Sequence, residues 1–379
     1  FDSWLYDDGK PFDQLMRLEV FDALKEKAGQ GYFEELIEKY LIRNTHGSVV
    51  VVNPRKGLTA KRDKALEEKL AAYKNSLSME ELEKLAADTK HLKEYQDAPE
   101  DPEALKCIPL LKRSDISRET ARIYNTEKYM GDTLFLHHDV YTNGIGYLDL
   151  LFDVKKVPRD LVPYMGILKS VLGYVDTEHY TYGQLFNEIN ARSGGIYFGI
   201  QVFGKGKDDR PPVHVMGVKA KALYKDIPFV FEMIKEILCT SKLDDDRRLY
   251  EIIAKMKSRL QMGLASSGHT TAVNRALSYF SENSYFQEMI GGIDFYKLID
   301  ELERNFQEKK QEIRENLDQL IKMVFRPENL IVSYTAEEEG CRCMEEQVEE
   351  LKKVLYTEEV KEGSMVPDFE VKNEGFMTS

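Results

Sequence analysis

The stretch that decides the fold runs from residue 144 to residue 175 and begins with the strand candidate "GIGYLDLLFDV" (residues 144–154). Every second residue there is apolar, which predicts a strand with one buried face: Leu148, Leu150, Phe152 and Val154. The stretch ends with "RDLVPYMGILKSVLGYV" (residues 159–175), whose apolar residues recur at helical spacing: Leu161, Tyr164, Leu168 and Leu172, broadened by Met165, Ile167 and Val171. The strand pattern followed by the helix pattern predicts a helix that packs on a sheet.

Strands and helices continue on both sides of this stretch. The strand candidate "DTLFLHHDV" (132–140) precedes it, and the Asn143-Gly144 step between the two strands is a strong turn signal. After it follow a helix at 180–195, strands at 195–205 and 213–223, a long helical region, a strand at 328–336 and a helix at 344–355. The strand at 195–205 has its own apolar face: Ile196, Phe198, Ile200 and Val202. This order predicts an α+β fold, with a mixed or antiparallel sheet layered by helices on one face.

Residues 1–109 show a different pattern of apolar and polar residues and divide into two segments. In residues 1–54 a helix, "GYFEELIEKYLIRN" (31–44), precedes the β-branched run "SVVVVNP" (48–54), which predicts a strand. One helix and one strand cannot close a core, so we expect the remnant of a preceding α+β domain. Residues 55–109 predict a long αα-hairpin linker whose second arm starts at a capping box of Ser78 and Glu81. A short coiled-coil module is the alternative, and residues 110–379 form the third predicted segment.

Composition limits the function classes. The formal charge of −13 is spread along all 379 residues and argues against nucleic-acid binding, which needs a basic face. An acidic cavity for basic peptides is an alternative to a charge that merely keeps the chain soluble. No apolar run approaches the roughly 20 residues of a membrane span, and the first residues carry no secretory signal. Four scattered cysteines predict no disulfide framework, which favours a reducing compartment, cytoplasmic by default.

Several residues are of types that bind metals or take part in catalysis, but a structural role explains each of them. His137 and His138 are neighbours on a strand, so their side chains point to opposite faces and cannot share one metal. His269 lies near a helix start, and Asp244, Asp245 and Asp246 are acidic residues of the kind that helix N-termini favour. "CRC" (341–343) has no second Cys/His pair nearby, and "FGKGKDDRPP" (203–212) reads as a hairpin turn rather than a phosphate loop. We therefore predict no catalytic, cofactor-binding or metal-binding residue.

Five stretches together resemble a known family. They are "WLYDDGKPFDQL" (4–15), "YFEELIEKYLIRNTH" (32–46), "YKNSLSMEELEKL" (73–85), "TKHLKEYQDAPEDPEALKCIPLLKRSDI" (89–116) and "HHDVYTNGIGYLDLLFDV" (137–154). Nearly the whole chain is similar to the presequence-protease and falcilysin branch of the insulinase-type (pitrilysin superfamily) zinc metallopeptidases. The resemblance implies four homologous α+β domains around a peptide-sized chamber. This chain would hold the end of the second domain, the helical hairpin and the third domain.

The resemblance places zinc elsewhere in such a protein. The family's motif, H-x-x-E-H on the first domain, supplies two histidine ligands and a glutamate base, and a downstream glutamate completes the site. None of the seven histidines forms such a motif: His46, His91, His137, His138, His179, His214 and His269. By domain homology the motif positions fall on Tyr164, Ile167 and Leu168. Zinc is therefore expected in the first domain of a parent protein and not in this chain.

These features predict a non-catalytic middle segment of a zinc metalloendopeptidase that degrades short, unstructured peptides, and this segment should be inactive alone. Its expected partners are the flanking domains and peptide substrates, and the isolated segment is expected to self-associate through faces that lack their natural neighbours. A catalytically inactive binding or scaffold protein of the same fold is the alternative. The compartment is expected to be the bacterial cytoplasm, or an organelle in a eukaryote.

Overall fold

A computed structural model describes residues 2–120, 122–204 and 212–377. The chain divides into two compact units, Phe1–Ile116 and Ser117–Ser379, each of which is described separately. The division into segments with boundaries at residues 54 and 109 stays a prediction.

The first unit is built of helices. Their bounds are Asp2–Tyr6 (α1), Arg17–Ala28 (α2), Tyr32–Ile37 (α3), Leu58–Ser76 (α4), Met79–Asp97 (α5) and Pro102–Leu105 (α6). The predicted capping box opens α5: Ser78 Oγ accepts from the Glu81 amide at 3.2 Å, and Glu81 Oε2 accepts from the Ser78 amide at 2.8 Å. The two long helices are therefore confirmed. Their apolar stripes are exposed on both arms, for example at Leu70 and Leu92, so neither stripe is covered by the described part of this unit.

The predicted strand at 48–54 is wrong for the described chain. These residues have no regular structure, and the side chains of Val49 to Val52 are 75–93% exposed. Valine favours strands because it packs well on a pleated, half-buried surface, and a strand needs a neighbour to complete its hydrogen bonds. Residues 2–116 supply no such neighbour among those described, so local propensity alone does not form the strand.

The second unit contains a six-stranded mixed sheet. Its strands are Thr126–Met130 (β1), Thr133–His138 (β2), Ile145–Asp153 (β3), Ile196–Phe203 (β4), Val213–Leu223 (β5) and Leu330–Thr335 (β6). They lie in the order β1-β2-β6-β3-β5-β4. The pair β2 and β6 is parallel and the other pairs are antiparallel, as the predicted α+β class allows. The loop predicted as a hairpin turn lies mostly at residues 205–211, outside the described residues.

The turn between β2 and β3 is confirmed, but the two strands it joins are not neighbours. Asn143 and Gly144 have φ values of 54° and 80°, the left-handed conformations that the dipeptide favours. The strand β6 nevertheless lies between β2 and β3 and pairs with both. Its Leu330, Val332 and Tyr334 are buried, and a central position allows this burial. Burial of a remote strand has therefore outweighed the local tendency to form a hairpin.

Helices cover one face of the sheet. They are Val162–Val171 (α7), Tyr182–Arg192 (α8), Ile227–Thr240 (α9), Asp246–Ser266 (α10), Gly268–Leu277 (α11), Glu282–Gly291 (α12), Ile293–Arg304 (α13), Phe306–Val324 (α14) and Met344–Lys352 (α15). The predicted apolar faces of β3 and β4 lie on this side and join the core. The opposite face exposes Tyr147, Tyr197, Lys219 and Lys221. The one-sided layering predicted from the sequence is confirmed.

Candidate functional site

The helix α7 lies at the centre of the helical layer. Pro163 lies in its first turn, and the chain leaves the helix through Gly173 at φ 80°, a conformation that costs glycine little. Seven of its ten residues are buried, and all of the predicted apolar positions at 161–172 are among the buried residues of the core. A helix that is apolar on nearly all sides belongs to the interior of a large domain.

Close packing of α7 depends on Gly166. A Cβ at this position would lie 2.7 Å from Cζ of Phe295 and 2.8 Å from the carbonyl oxygen of Ile290. Gly166→Ala is therefore expected to lower the free energy of unfolding by about 2 kcal/mol through overpacking, measured by urea denaturation. The matched control is Gly263→Ala in α10, where an added Cβ meets nothing within 4 Å. That variant should gain roughly 0.5 kcal/mol, and destabilisation of similar size in both variants would contradict the close approach.

The positions at which domain homology predicts the counterpart of the zinc motif, Tyr164, Ile167 and Leu168, offer a poor set of ligands. Ile167 and Leu168 present only alkyl groups and are fully buried. The hydroxyl of Tyr164 donates to Glu312 Oε1 at 2.9 Å, and burial, followed by this carboxylate, raises the pKa of Tyr164 to about 12. Zinc needs deprotonated or lone-pair donors, and one neutral phenol with two alkyl chains does not fit it.

The histidines are dispersed over the described residues. His137 is buried, and its Nε2 lies 2.9 Å from the Ala336 carbonyl oxygen, whereas His138 bonds Tyr124 and Ser333 on the other face. His179 Nδ1 lies 2.9 Å from Glu236, and His214 stacks on Phe286. His269 is exposed in the first turn of α11. Among the described residues no group of three His, Cys, Asp or Glu side chains is placed to hold a metal ion.

The other predicted features have structural roles. Asp245 Oδ1 caps α10 by accepting from the Arg248 amide at 2.9 Å, and Asp246 pairs with Lys310 and Arg314. The acidic run is thus a helix start, as predicted. Cys341 and Cys343 are free and half-buried, and burial raises the pKa of Cys341 to about 11, so its thiol stays protonated at neutral pH.

A cavity of about 560 Å³ opens beside the C-terminal half of α7. The helices α8 and α10 and the start of β4 form its other walls. Its apolar lining residues include Leu172, Ile189, Ile196, Phe198, Ile252 and Met256. Three of the lining residues are exposed aromatic residues: Tyr174, Phe186 and, at the start of the edge strand, Tyr197. The combination of apolar walls and accessible aromatic groups is typical of a ligand site.

Five charged residues line the same cavity: Lys169, Arg248, Glu251, Lys255 and Arg259. Arg248 is held firmly, because its Nε donates to the Tyr174 carbonyl oxygen at 2.8 Å and its guanidinium lies 4.0 Å from the centre of the Tyr182 ring. Glu251 accepts from Arg248 Nη1 at 3.3 Å. Burial lowers the pKa of Lys169, which has no ion-pair partner among the described residues. The cavity is therefore basic within an acidic chain.

The edge strand β4 borders this cavity. It pairs with β5 on one side only, and in the described chain no strand covers its outer side. Gly195, at φ 101°, brings the chain into β4, and a Cβ there would lie 2.5 Å from the hydroxyl of Tyr197. Glycine at this position therefore leaves room for the Tyr197 ring, which lies over the start of β4.

The basic residues of the cavity are not predicted as a site from the sequence. One signal was present: Arg248, Lys255 and Arg259 recur seven and four positions apart, which places them on one face of α10. Lys169 lies in α7, far from these residues in the sequence, and lines the same cavity only in the folded chain. Spacing therefore indicates part of the cluster, but not the cavity.

The chain resembles known proteins over most of its length. The family model described as "Peptidase M16C associated" matches residues 52–302. "Protein HypA" of Clostridium perfringens is 34% identical over 377 residues, which are 100% of this chain and 38% of that protein. "Presequence protease 1, chloroplastic/mitochondrial" of Arabidopsis thaliana is 26% identical over 91% of this chain and 32% of its own length. The chain thus spans 38% and 32% of the length of these two relatives. No helix among the described residues is long and apolar enough to cross a bilayer.

Proposed function

Since the chain belongs to the Peptidase M16C associated family, we propose that it is the non-catalytic middle segment of a zinc metalloendopeptidase that degrades short, unstructured peptides. The predicted resemblance to the presequence-protease branch of the insulinase-type peptidases is confirmed by relatives that bear that name. In the proposed parent protein another domain holds the zinc ion and cuts the peptide. This segment contributes part of the wall of the peptide chamber and acts together with its flanking domains.

One observation carries the non-catalytic part of this proposal. In α7 we place the counterpart of the zinc motif at Tyr164, Ile167 and Leu168. All three side chains are buried in the core. Catalysis by this family's chemistry needs a zinc ion with an open coordination position and a carboxylate that activates water. A buried tyrosine and two alkyl side chains supply neither.

The chamber part of the proposal is supported by the cavity beside β4. Its walls combine apolar and charged residues, its exposed aromatic residues suit many peptide sequences, and the edge of β4 offers unpaired backbone groups along an extended strand. Extended peptides bind such edges through main-chain hydrogen bonds that depend little on sequence. Such a wall suits a peptidase that selects substrates by size and lack of structure. A cytoplasmic location in a bacterium, or an organelle in a eukaryote, remains our expectation.

Photo-crosslinking in the full-length protein tests this function. Benzoylphenylalanine replaces Tyr197, the zinc is removed with a chelator so that peptides are held but not cut, and an unstructured peptide with an amidated C-terminus is added. We expect a crosslinked peptide after irradiation, because Tyr197 lies at the proposed chamber wall.

The control places the same photoreactive residue at Val354, an exposed position after α15 and outside the cavity. Equal crosslinking at both positions would contradict a chamber wall at β4. If the full-length protein with zinc restored cleaves no peptide, the alternative is favoured, namely an inactive binding or scaffold protein of the same fold.

A further inference from the structure

We propose that the basic cavity binds the C-terminal carboxylate of an extended peptide whose last side chain is apolar. This inference rests on the proposed function and names the ligand class for the same wall. It starts from a contrast of charge: the chain carries −13 overall, yet Lys169, Arg248, Lys255 and Arg259 face the single acid Glu251 in this cavity. A local excess of cations in an acidic protein attracts an anion to this place.

Lys169 is the cation that an anion in the cavity would stabilise most. Its ammonium is partly buried at the end of α7, where no described carboxylate lies within ion-pairing distance. Glu251 is already engaged, because it forms ion pairs with Arg247 and Arg248. A desolvated ammonium gains more from a charge-assisted hydrogen bond than an exposed one does. A carboxylate in the cavity would supply that bond.

Arg248 is the second fixed cation. Two of its five N–H donors are used, by the Tyr174 carbonyl oxygen and by Glu251, and Tyr182 holds the guanidinium plane. The remaining donors keep a defined direction without a ligand. A guanidinium that is already oriented loses little side-chain entropy when it binds a planar carboxylate. Lys255 and Arg259 are exposed and add long-range attraction.

The apolar lining and the neighbouring strand edge distinguish a peptide terminus from a small inorganic anion. Leu172, Ile189 and Ile252 offer an apolar wall within the same cavity as the cations. A C-terminal residue presents a carboxylate and an apolar side chain from one carbon atom, which matches this pairing. The preceding residues of the peptide would lie along β4, whose first residues, Ile196 to Phe198, line the cavity. Charge, apolar contact and strand edge thus converge on one occupant.

Fluorescence anisotropy with the 379-residue chain tests this assignment. The probes are three fluorescein-labelled, unstructured decapeptides: one ends in leucine with a free carboxylate, one is its C-terminal amide, and one is the amide with glutamate as the penultimate residue. We expect the free acid to bind about tenfold more tightly than either amide, the effect of one charge-assisted hydrogen bond. Lys169→Met should weaken the free acid to the level of the amide and leave the binding of the amide unchanged.

Lys353→Met is the matched control, because it removes an exposed lysine that does not line the cavity. It should leave all three affinities unchanged. Equal binding of acid and amide, an equal loss for both in Lys169→Met, or a loss in Lys353→Met would overturn the carboxylate site. Tight binding of the glutamate-containing amide would overturn the assignment to a C-terminus. The crosslinking experiment uses an amidated peptide, so it can succeed when this proposal fails, and the two failures are distinguishable.

Discussion

Arg275→Met is expected to lower the free energy of unfolding by about 3 kcal/mol, because it leaves the buried carboxylate of Glu288 without its cation. The Arg275 side chain is only 9% exposed, and its Nη1 donates to Glu288 at 3.0 Å and to Asp294 at 2.6 Å. Its Nε donates to Glu374, near the end of the described chain. Glu288 is itself 6% exposed, so water cannot replace the lost partner. Urea denaturation measures the effect as a shifted midpoint with an unchanged slope.

An ion pair whose arginine is exposed, and whose aspartate keeps Lys257 as a second partner, supplies the control for Arg275. Arg304 pairs with Asp300 at 2.9 Å, but its side chain is 69% exposed. Arg304→Met should cost no more than about 0.5 kcal/mol, since exposed pairs contribute little. The double variant Arg275→Met, Glu288→Met should recover part of the loss, because it removes the unpaired buried charge together with its partner. Equal losses in the free energy of unfolding for Arg275→Met and Arg304→Met would show that burial does not make the Arg275 cluster more stabilising than an exposed arginine.

Leu168→Ala is expected to cost about 3 kcal/mol, the effect of a cavity in a well-packed core. Leu168 is fully buried at the last of the three positions in α7 at which we predict the counterpart of the zinc motif. The variant therefore measures how much the side chain at this position stabilises the core. Thermal or urea unfolding of the purified chain gives the value directly.

Two matched variants make the Leu168 test specific. Leu168→Met conserves volume and should cost less than about 1.5 kcal/mol. Leu277→Ala removes the same atoms from a residue that is 37% exposed at the end of α11 and should cost less than about 1 kcal/mol. If Leu168→Ala were as mild as Leu277→Ala, α7 would not be the core helix described above.

The sequence predicts well those elements whose structure depends only on residues close together in the chain. The period-two face of β3, the helical stripe of α7 and the capping box of α5 all depend on neighbours within a few positions. The strand β1 was not predicted, because "TEKYM" is polar and mostly exposed and so shows no apolar alternation. The valine run at 48–54 shows the opposite error: a strong local preference without a partner strand.

The candidate site could be predicted only in part, and the reason is distance along the chain. Sequence spacing shows that three basic residues share a face of α10, and that α7 lacks histidine. It does not show that Lys169 lines the same cavity as Arg248, because that depends on how α7, α8, α10 and β4 pack together. Nor does the spacing reveal that Tyr182 and the Tyr174 carbonyl hold Arg248 in place.

The position of β6 between β2 and β3 also dictates an order of events during synthesis. The strands β2 and β3 leave the ribosome with Asn143 and Gly144 already able to turn, yet the place between them stays vacant until residues 330–335 have been translated. A parallel pair so remote in sequence closes late and slowly. Until then two apolar strand edges are open to wrong partners, which makes the nascent domain a natural client for chaperones.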